Sequence, residues 1–138
     1  MNTQSSPVLE VLSYLRGAGV FYLATCEGDQ PRVRPFSAAA EFEGRLYLIT
    51  GNFKKCFGQM KVNPKVEISA MGKDNTWIRV EAKVVSDGRR EARQRMMEEN
   101  PGLERLYDVD DGRMEVLYLT DATATVYNGR GAVKELKF

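Results

Sequence analysis

The sequence contains no histidine and only two cysteines among its 138 residues. Without histidine, a Ser-His-Asp or Cys-His catalytic group and a histidine-ligated metal site are excluded. Cys26 and Cys56 form neither a CxxC motif nor a disulfide framework, so we expect reduced thiols. A zinc site would have to rely mostly on carboxylates, and no suitable cluster occurs, so we predict no metal. Any chemistry is then expected to come from a bound organic cofactor.

The sequence also lacks long apolar runs and an excess of charge of one sign. No run approaches the roughly 20 residues that a membrane-spanning helix needs. With 20 basic and 19 acidic residues the net charge is +1, so no global field favours nucleic acid or an anionic membrane. The first residues, MNTQSSPVLEVL, lack the cationic start and apolar stretch of a secretory signal. We therefore expect a cytoplasmic protein without nucleic-acid or membrane partners.

What is present is the pattern of one small domain, residues 1–138, that is mainly β with added helices. Ser6 and Pro7 predict the start of a helix as N-cap and first helical residue. Further helices are predicted at 54–62, 87–100 and 101–107. Strand patterns cover 20–25, 32–42, 45–50, 65–71, 76–86, 114–120, 123–127 and 133–138. Many short strands joined by tight turns indicate a small closed β-barrel with peripheral helices.

Basic residues are concentrated at two neighbouring places in the first half of the chain. Arg32 and Arg34 are two residues apart on a predicted strand, so their side chains share one face. Thr50-Gly51-Asn52 ends another strand just before a helix that begins with Lys54 and Lys55. A hydroxyl, free amides at a helix start and two ammonium groups are typical of a phosphate site. Gln59 lies one helical turn after Lys55 and faces the same way.

Each of these features also has a structural interpretation. The two arginines are compatible with a solvated strand face, and the two lysines with a solvated helix start. Pro35 removes a ladder donor and favours an edge or bulge that a flat ligand could approach. Trp77 fits either buried or dimer-interface packing, or stacking on an aromatic cofactor ring. Phe53, Phe57 and Met60 are expected in the core.

The order of the segments FYLAT, PRVRPF, LYLITGN, the lysine pair, QMKVNPKVEI and WIRVEAKVV resembles a known family. It is similar to the FMN-binding split-barrel proteins related to pyridoxamine 5′-phosphate oxidase, over residues 8–128. The resemblance implies a homodimer with two FMN molecules in clefts between the subunits. It also implies that the strand 34–37 lies along the flavin, that Thr50 binds the phosphate with Lys54 or Lys55, and that Trp77 lies near the ring or the partner subunit.

The predicted FMN-binding residues lie on the basic strand, at the strand-to-helix junction and at the start of a later strand. They are Arg32, Val33, Arg34, Pro35, Phe36, Ser37, Thr50, Gly51, Asn52, Lys54, Lys55, Gln59 and Trp77. No residue is an obvious catalytic acid or base, so the catalytic residues stay unassigned.

Two departures limit what the resemblance implies. Pyridoxamine phosphate oxidases carry a C-terminal segment with arginine and histidine that grips the substrate, and this chain ends in AVKELKF. Members linked to nitroimidazole resistance carry a characteristic histidine that is missing here. We therefore expect an FMN-dependent oxidoreductase acting on an unidentified small substrate or redox partner, and not vitamin B6 oxidation. The alternatives are an electron carrier without turnover of its own, or a binder of deazaflavin F420 or haem on the same fold.

Overall fold

The computed structural model describes residues 6–138 of the chain. The first five residues lie outside the described part. They belong to the predicted domain 1–138 and to the N-terminal segment that was compared with a secretory signal. The helices are α1 (Pro7–Ala18), α2 (Lys55–Val62) and α3 (Arg90–Glu99), with a 3₁₀ helix at Pro101–Arg105. The strands are β1 (Phe21–Glu27), β2 (Gln30–Phe36), β3 (Ala39–Phe42), β4 (Arg45–Gly51), β5 (Lys65–Met71), β6 (Trp77–Asp87), β7 (Met114–Asn128) and β8 (Gly131–Lys137).

All eight strands form one antiparallel sheet in the order β2-β1-β5-β6-β7-β4-β3, with β8 paired to β7. The strands at the two ends of this order, β2 and β3, are consecutive in the chain and are joined only by Ser37 and Ala38. The sheet must therefore roll up until its two edges approach each other. Within residues 6–138 no ladder links those edges, so the barrel keeps an open seam. The architecture is a split β-barrel with peripheral helices.

The closed barrel and the single strand at 32–42 were wrong predictions. β2 pairs only with β1, from Gln30 opposite Glu27 to Phe36 opposite Phe21. The next strand pairs instead with β4, starting with Ala39 opposite Leu48. The chain leaves one edge of the sheet and joins the other within two residues, which alternation of side chains cannot reveal.

The two strands predicted at 114–120 and 123–127 are in fact one, β7. Asp121, which was expected to separate them, adopts a positive φ of 51° inside the strand. The register of β6 against β7 shifts at the same level, between Glu81 and Lys83. A β-bulge therefore absorbs the irregularity, and the strand bends without ending.

The barrel interior holds the main hydrophobic core, and α1 and α2 both bury one face against it. The Ser6 hydroxyl accepts a hydrogen bond from the Leu9 amide, so α1 begins as the sequence predicts. Its apolar stripe is Val8, Val11, Leu12 and Leu15. From α2, the buried residues Cys56, Phe57 and Met60 join the same core. No helix of residues 6–138 is long and apolar enough to cross a membrane.

A second, smaller core lies outside the barrel wall, beneath α3. Strand β4 is buried on both faces, because Leu46 and Leu48 point into the main core while Tyr47 and Ile49 pack in this outer core. The helix predicted at 87–100 starts later, at Arg90, because Asp87 still belongs to β6. The outer core positions the residues after α3, which pass beside the open seam.

Candidate functional site

The basic strand and the basic helix start meet where β1, β2 and α2 come together. The Arg34 side chain lies on the inner face of β2 and crosses to its neighbours. Its Nη1 donates to the Thr25 hydroxyl at 2.8 Å and to the Leu23 carbonyl at 3.2 Å. Its Nη2 donates to Gln59 Oε1 at 2.8 Å. These bonds fix the guanidinium beside α2.

Gln59 is buried and hydrogen-bonds to Arg34, Thr25 and Glu27. Its Oε1 accepts from Arg34 and also from the Thr25 hydroxyl at 2.6 Å. Its Nε2 is 3.5 Å from Glu27 Oε2, which accepts from it. Because buried polar groups that are fully bonded hold one orientation, Gln59 locks the inner ends of β1 and β2 to α2.

The two arginines, which the sequence treats alike, are electrostatically different. Arg32 forms an ion pair with Glu27, with Nε and Nη2 at 3.0 and 2.8 Å from one carboxylate oxygen. The Arg32 guanidinium, with a smaller contribution from Gln59, lowers the pKa of the Glu27 carboxyl below its ordinary value. Arg34 has no carboxylate partner among residues 6–138. Its charge is therefore available to an anion.

The start of α2 adds further positive charge. Lys54 is the N-cap residue, yet no side chain caps the helix and the first turn has no acidic residue. Neither Lys54 nor Lys55 takes part in an ion pair within the described chain. Amide groups at an uncapped helix start carry partial positive charge and favour anionic ligands. Together with Arg34 they form an anion-binding corner.

Arg34 separates two grooves that most of the predicted residues line. One, of about 310 Å³, is bordered by Glu27, Arg32, Val33, Arg34, Lys55 and Gln59. The other, of about 160 Å³, runs along the open seam and is lined by apolar residues together with Arg34 and Lys54. Its lining is Arg34, Pro35, Phe36, Ser37, Ala38, Ile49, Lys54, Cys56, Leu103, Leu106 and Tyr107. The corner thus offers a charged end and an apolar end.

Thr50, Gly51 and Asn52 lie beside this corner but do not line either groove. The Thr50 hydroxyl is buried 3.4 Å from the Cys56 sulfur. The Asn52 amide donates to the Gly112 carbonyl at 2.8 Å. In this chain they shape the β4–α2 turn, and their predicted contact with a cofactor stays a prediction.

Phe53 was expected in the core and is instead 56% exposed, unlike the buried Phe57 and Met60. Its ring covers Gly51, where an added Cβ would lie 2.3 Å from a ring carbon. The Arg113 guanidinium lies over the other side, 4.4 Å from the ring centroid. Phe53 therefore belongs to the turn that presents Lys54.

Trp77 lies on the outer face of the barrel and lines neither groove of its own chain. Its ring stacks on Tyr127 with centroids 4.3 Å apart and an interplanar angle of 15°. The Arg79 guanidinium lies 5.2 Å from the Trp77 centroid. The predicted contact of Trp77 with a cofactor ring or a partner subunit stays a prediction.

Sequence reasoning missed several residues of this region, among them Thr25, Glu27 and Tyr107. Thr25 and Glu27 follow Leu23 at alternate positions of β1, so strand periodicity could have placed them beside Arg34. Tyr107 follows the 3₁₀ helix, far along the chain, and lines the seam groove. No local pattern signals that position, because it depends on how the outer core folds.

Comparison with known proteins supplies a family for these features. The family model described as pyridoxamine 5′-phosphate oxidase matches residues 9–128. A crystal structure of a NimC/NimA family protein from Clostridium acetobutylicum is 47% identical, with 95% of this chain and 93% of that chain covered and a TM-score of 0.91. No curated protein matches the chain.

Two more distant structures share the fold alone. A FAD-binding protein from Mesorhizobium loti is 18% identical, with 84% of this chain and 91% of that chain covered and a TM-score of 0.60. A heme-binding protein from Mycobacterium smegmatis is 14% identical, with 99% and 60% covered and a TM-score of 0.69.

Proposed function

Because the chain belongs to the pyridoxamine 5′-phosphate oxidase family, we propose that it binds FMN and acts as an FMN-dependent oxidoreductase on a small molecule. The observation that carries this proposal is the unpaired charge of Arg34 next to the uncapped start of α2. A site with three cationic side chains and free amides suits a phosphate dianion far better than a neutral ligand.

The donor set fits the phosphate end of FMN. Lys54 and Lys55 would hold the phosphate as mobile point charges, while Arg34, fixed by Gln59, supplies a rigid planar donor. Arg32 contributes less, because Glu27 already neutralises it. Bound FMN would supply the electron-transfer chemistry, which accords with a chain that has no histidine.

The apolar groove suits only part of a flavin ring within one chain. Its volume of about 160 Å³ is close to that of a cavity that holds one benzene molecule, about 150 Å³. A three-ring system placed there must extend beyond the groove, over Pro35 and the open seam. A second surface is needed to cover the remainder, and a second copy of the chain would provide it.

The outer face of the barrel supports a homodimer with FMN at the subunit interface. This face exposes Tyr22, Val33 and Met71, with Val33 at 68% and Met71 at 71% exposure. Adjacent apolar side chains on an exposed sheet face indicate an interaction surface. Trp77 lies on the same face, where a partner's flavin could contact it.

A concavity on this outer face is bordered by charges of both signs and is not a second anion site. It measures about 440 Å³ and lies over β1, β5 and β6. Lys65 and Lys83 border it together with Glu67, Glu81 and Asp121, so the basic charges there are offset by acidic ones. We assign it to the proposed subunit interface.

An FMN titration of the purified protein tests the phosphate site. Lys54→Ala/Lys55→Ala should weaken FMN binding at least about tenfold, since each charge-assisted bond is worth about 1.5–3 kcal/mol. The matched control is Lys61→Ala/Lys73→Ala, which removes the same charge at the far end of α2 and in a distant turn. Equal FMN affinity of the two double variants would disprove the phosphate assignment.

The haem-binding neighbour motivates a second candidate, a different cofactor on the same fold. The absorption spectrum of the purified protein separates flavin, deazaflavin and haem directly. Anaerobic titration with NADH and NADPH then separates an enzyme from a carrier. Rapid reduction of bound flavin supports the oxidoreductase, whereas reduction only through a partner enzyme supports an electron carrier.

A further inference from the structure

Tyr107 is a buried tyrosine whose hydroxyl has no hydrogen-bond partner within residues 6–138. Its ring is 7% exposed and packs in the outer core with Ile49, Met96 and Met114. Buried tyrosine hydroxyls ordinarily form a hydrogen bond. Tyr47, in the same core, follows this rule by donating to Asp87 Oδ2 at 2.7 Å. Within residues 6–138 the Tyr107 hydroxyl forms no such bond.

The open seam gives a ligand access to this hydroxyl. Among the described residues, the one fully buried side-chain polar atom without a partner is Arg95 Nε, so the Tyr107 hydroxyl is not sealed inside the core. Tyr107 lines the seam groove of about 160 Å³ that also reaches Arg34 and Lys54. The seam groove is therefore where a ligand could reach this hydroxyl.

We propose that the Tyr107 hydroxyl is a hydrogen-bond donor to a planar ring that enters the seam groove. The groove, with its volume of about 160 Å³, has room for about one six-membered ring. Ile49, Leu103 and Leu106 provide apolar contact for the ring. An acceptor group on the ring, such as a carboxylate, would accept from Tyr107 and face Arg34 and Lys54, which line the same groove.

The surroundings keep this hydroxyl a donor at neutral pH. Burial raises the pKa of Tyr107 above its ordinary value, with a smaller opposing effect of Arg113. The phenol therefore stays protonated. A hydroxyl held rigidly by its own ring loses little entropy when it binds a ligand.

Two molecules could supply such a ring. One is the edge of the flavin itself, in which case this inference rests on the proposed function. The other is a separate small molecule, and benzoate is a suitable probe because it joins one ring to one carboxylate. The substitution Tyr107→Phe keeps the ring in the outer core and removes only the hydroxyl.

The experiment compares the wild-type protein with Tyr107→Phe. For each protein, the affinity for FMN is measured first, and the affinity for benzoate is then measured both in the absence and in the presence of FMN. Loss of one hydrogen bond should weaken the affected ligand about tenfold. If Tyr107→Phe binds benzoate more weakly but FMN with unchanged affinity, the groove belongs to a separate molecule. If Tyr107→Phe binds FMN more weakly, the groove belongs to the flavin ring. Unchanged affinities for both, or no binding of either by the wild type, would overturn the proposal.

A matched variant separates binding from stability. Tyr47→Phe removes a bonded hydroxyl from the same core and should lower the melting temperature without changing benzoate affinity. Tyr107→Phe should leave the melting temperature unchanged, because its hydroxyl bonds to no other described residue. An equal loss in both variants would show that the Tyr107 hydroxyl is structural. Benzoate binding that depends on Tyr107 in a protein that fails to bind FMN would refute only the proposed cofactor.

Discussion

Replacing Asp87 should remove a large, pH-dependent part of the stability of the fold. The carboxylate accepts from the Tyr47 hydroxyl at 2.7 Å, from the Arg89 backbone amide at 3.0 Å and from the Arg89 guanidinium at 3.0 and 3.1 Å. Its side chain is only 7% exposed. Arg89 also pairs with Glu43 in the β3–β4 turn, so the carboxylate links β4, β6 and that turn.

The magnitude follows from the lowered pKa. The hydrogen bonds from Arg89, followed by that from Tyr47, lower the pKa of Asp87 from 3.8 to about 2. This difference corresponds to about 2 kcal/mol of unfolding free energy. Because the folded pKa is the lower one, this contribution is complete above pH of about 4 and disappears as the pH falls toward 2.

Urea unfolding of the wild type and Asp87→Asn at several pH values measures this directly. At pH 7 the variant should be less stable by about 2 kcal/mol or more. Both carboxylate oxygens of Asp87 accept hydrogen bonds, so the NH₂ group of the asparagine would face donors without an acceptor. The difference in unfolding free energy between the wild type and the variant should decrease as the pH falls from about 4 toward 2. The exposed Glu135→Gln control should stay within about 0.5 kcal/mol of the wild type. A gap that stays constant with pH, or that is absent at pH 7, would refute the reasoning.

Four further substitutions test other contacts. Arg34→Gln should weaken FMN binding at least about tenfold in a fluorescence titration, and Arg32→Gln much less, because Arg32 is already paired; equal effects would contradict the electrostatic distinction. Gly72→Ala should destabilise the fold by about 1–3 kcal/mol in urea, since its Cβ would lie 2.0 Å from the Tyr14 hydroxyl; an unchanged midpoint would contradict that contact. Val33→Glu should shift the protein to monomers in analytical ultracentrifugation, and a stable dimer would remove β2 from the proposed interface.

Local patterns predicted most of the elements and the family. The Ser6-Pro7 helix start, the alternation along 65–71 and the Lys54–Lys55 helix start each depend on neighbouring residues, and the structure contains all three. The predicted family resemblance is confirmed by the match over residues 9–128. These features were predictable because periodicity and capping act within a few residues.

The failures concern relations between distant segments. The break after Phe36 exists because two edges of the sheet meet there, and the exposure of Phe53 depends on Arg113, which lies far along the chain. Likewise, Arg32 and Arg34 look equivalent until Glu27 and Gln59 are placed beside them. Tertiary contacts decide such details, so no local pattern carries them.

The position of β7 has a consequence for how the protein is made. In the sheet, β7 alone joins the group β2-β1-β5-β6 to the pair β4-β3. When only the first 113 residues have emerged from the ribosome, no strand yet joins the two groups, and each has an unpaired edge. Those edges can pair with other chains until residues 114–128 emerge. We expect nascent chains halted before β7 to need chaperone protection, and chains halted after it to become resistant to protease.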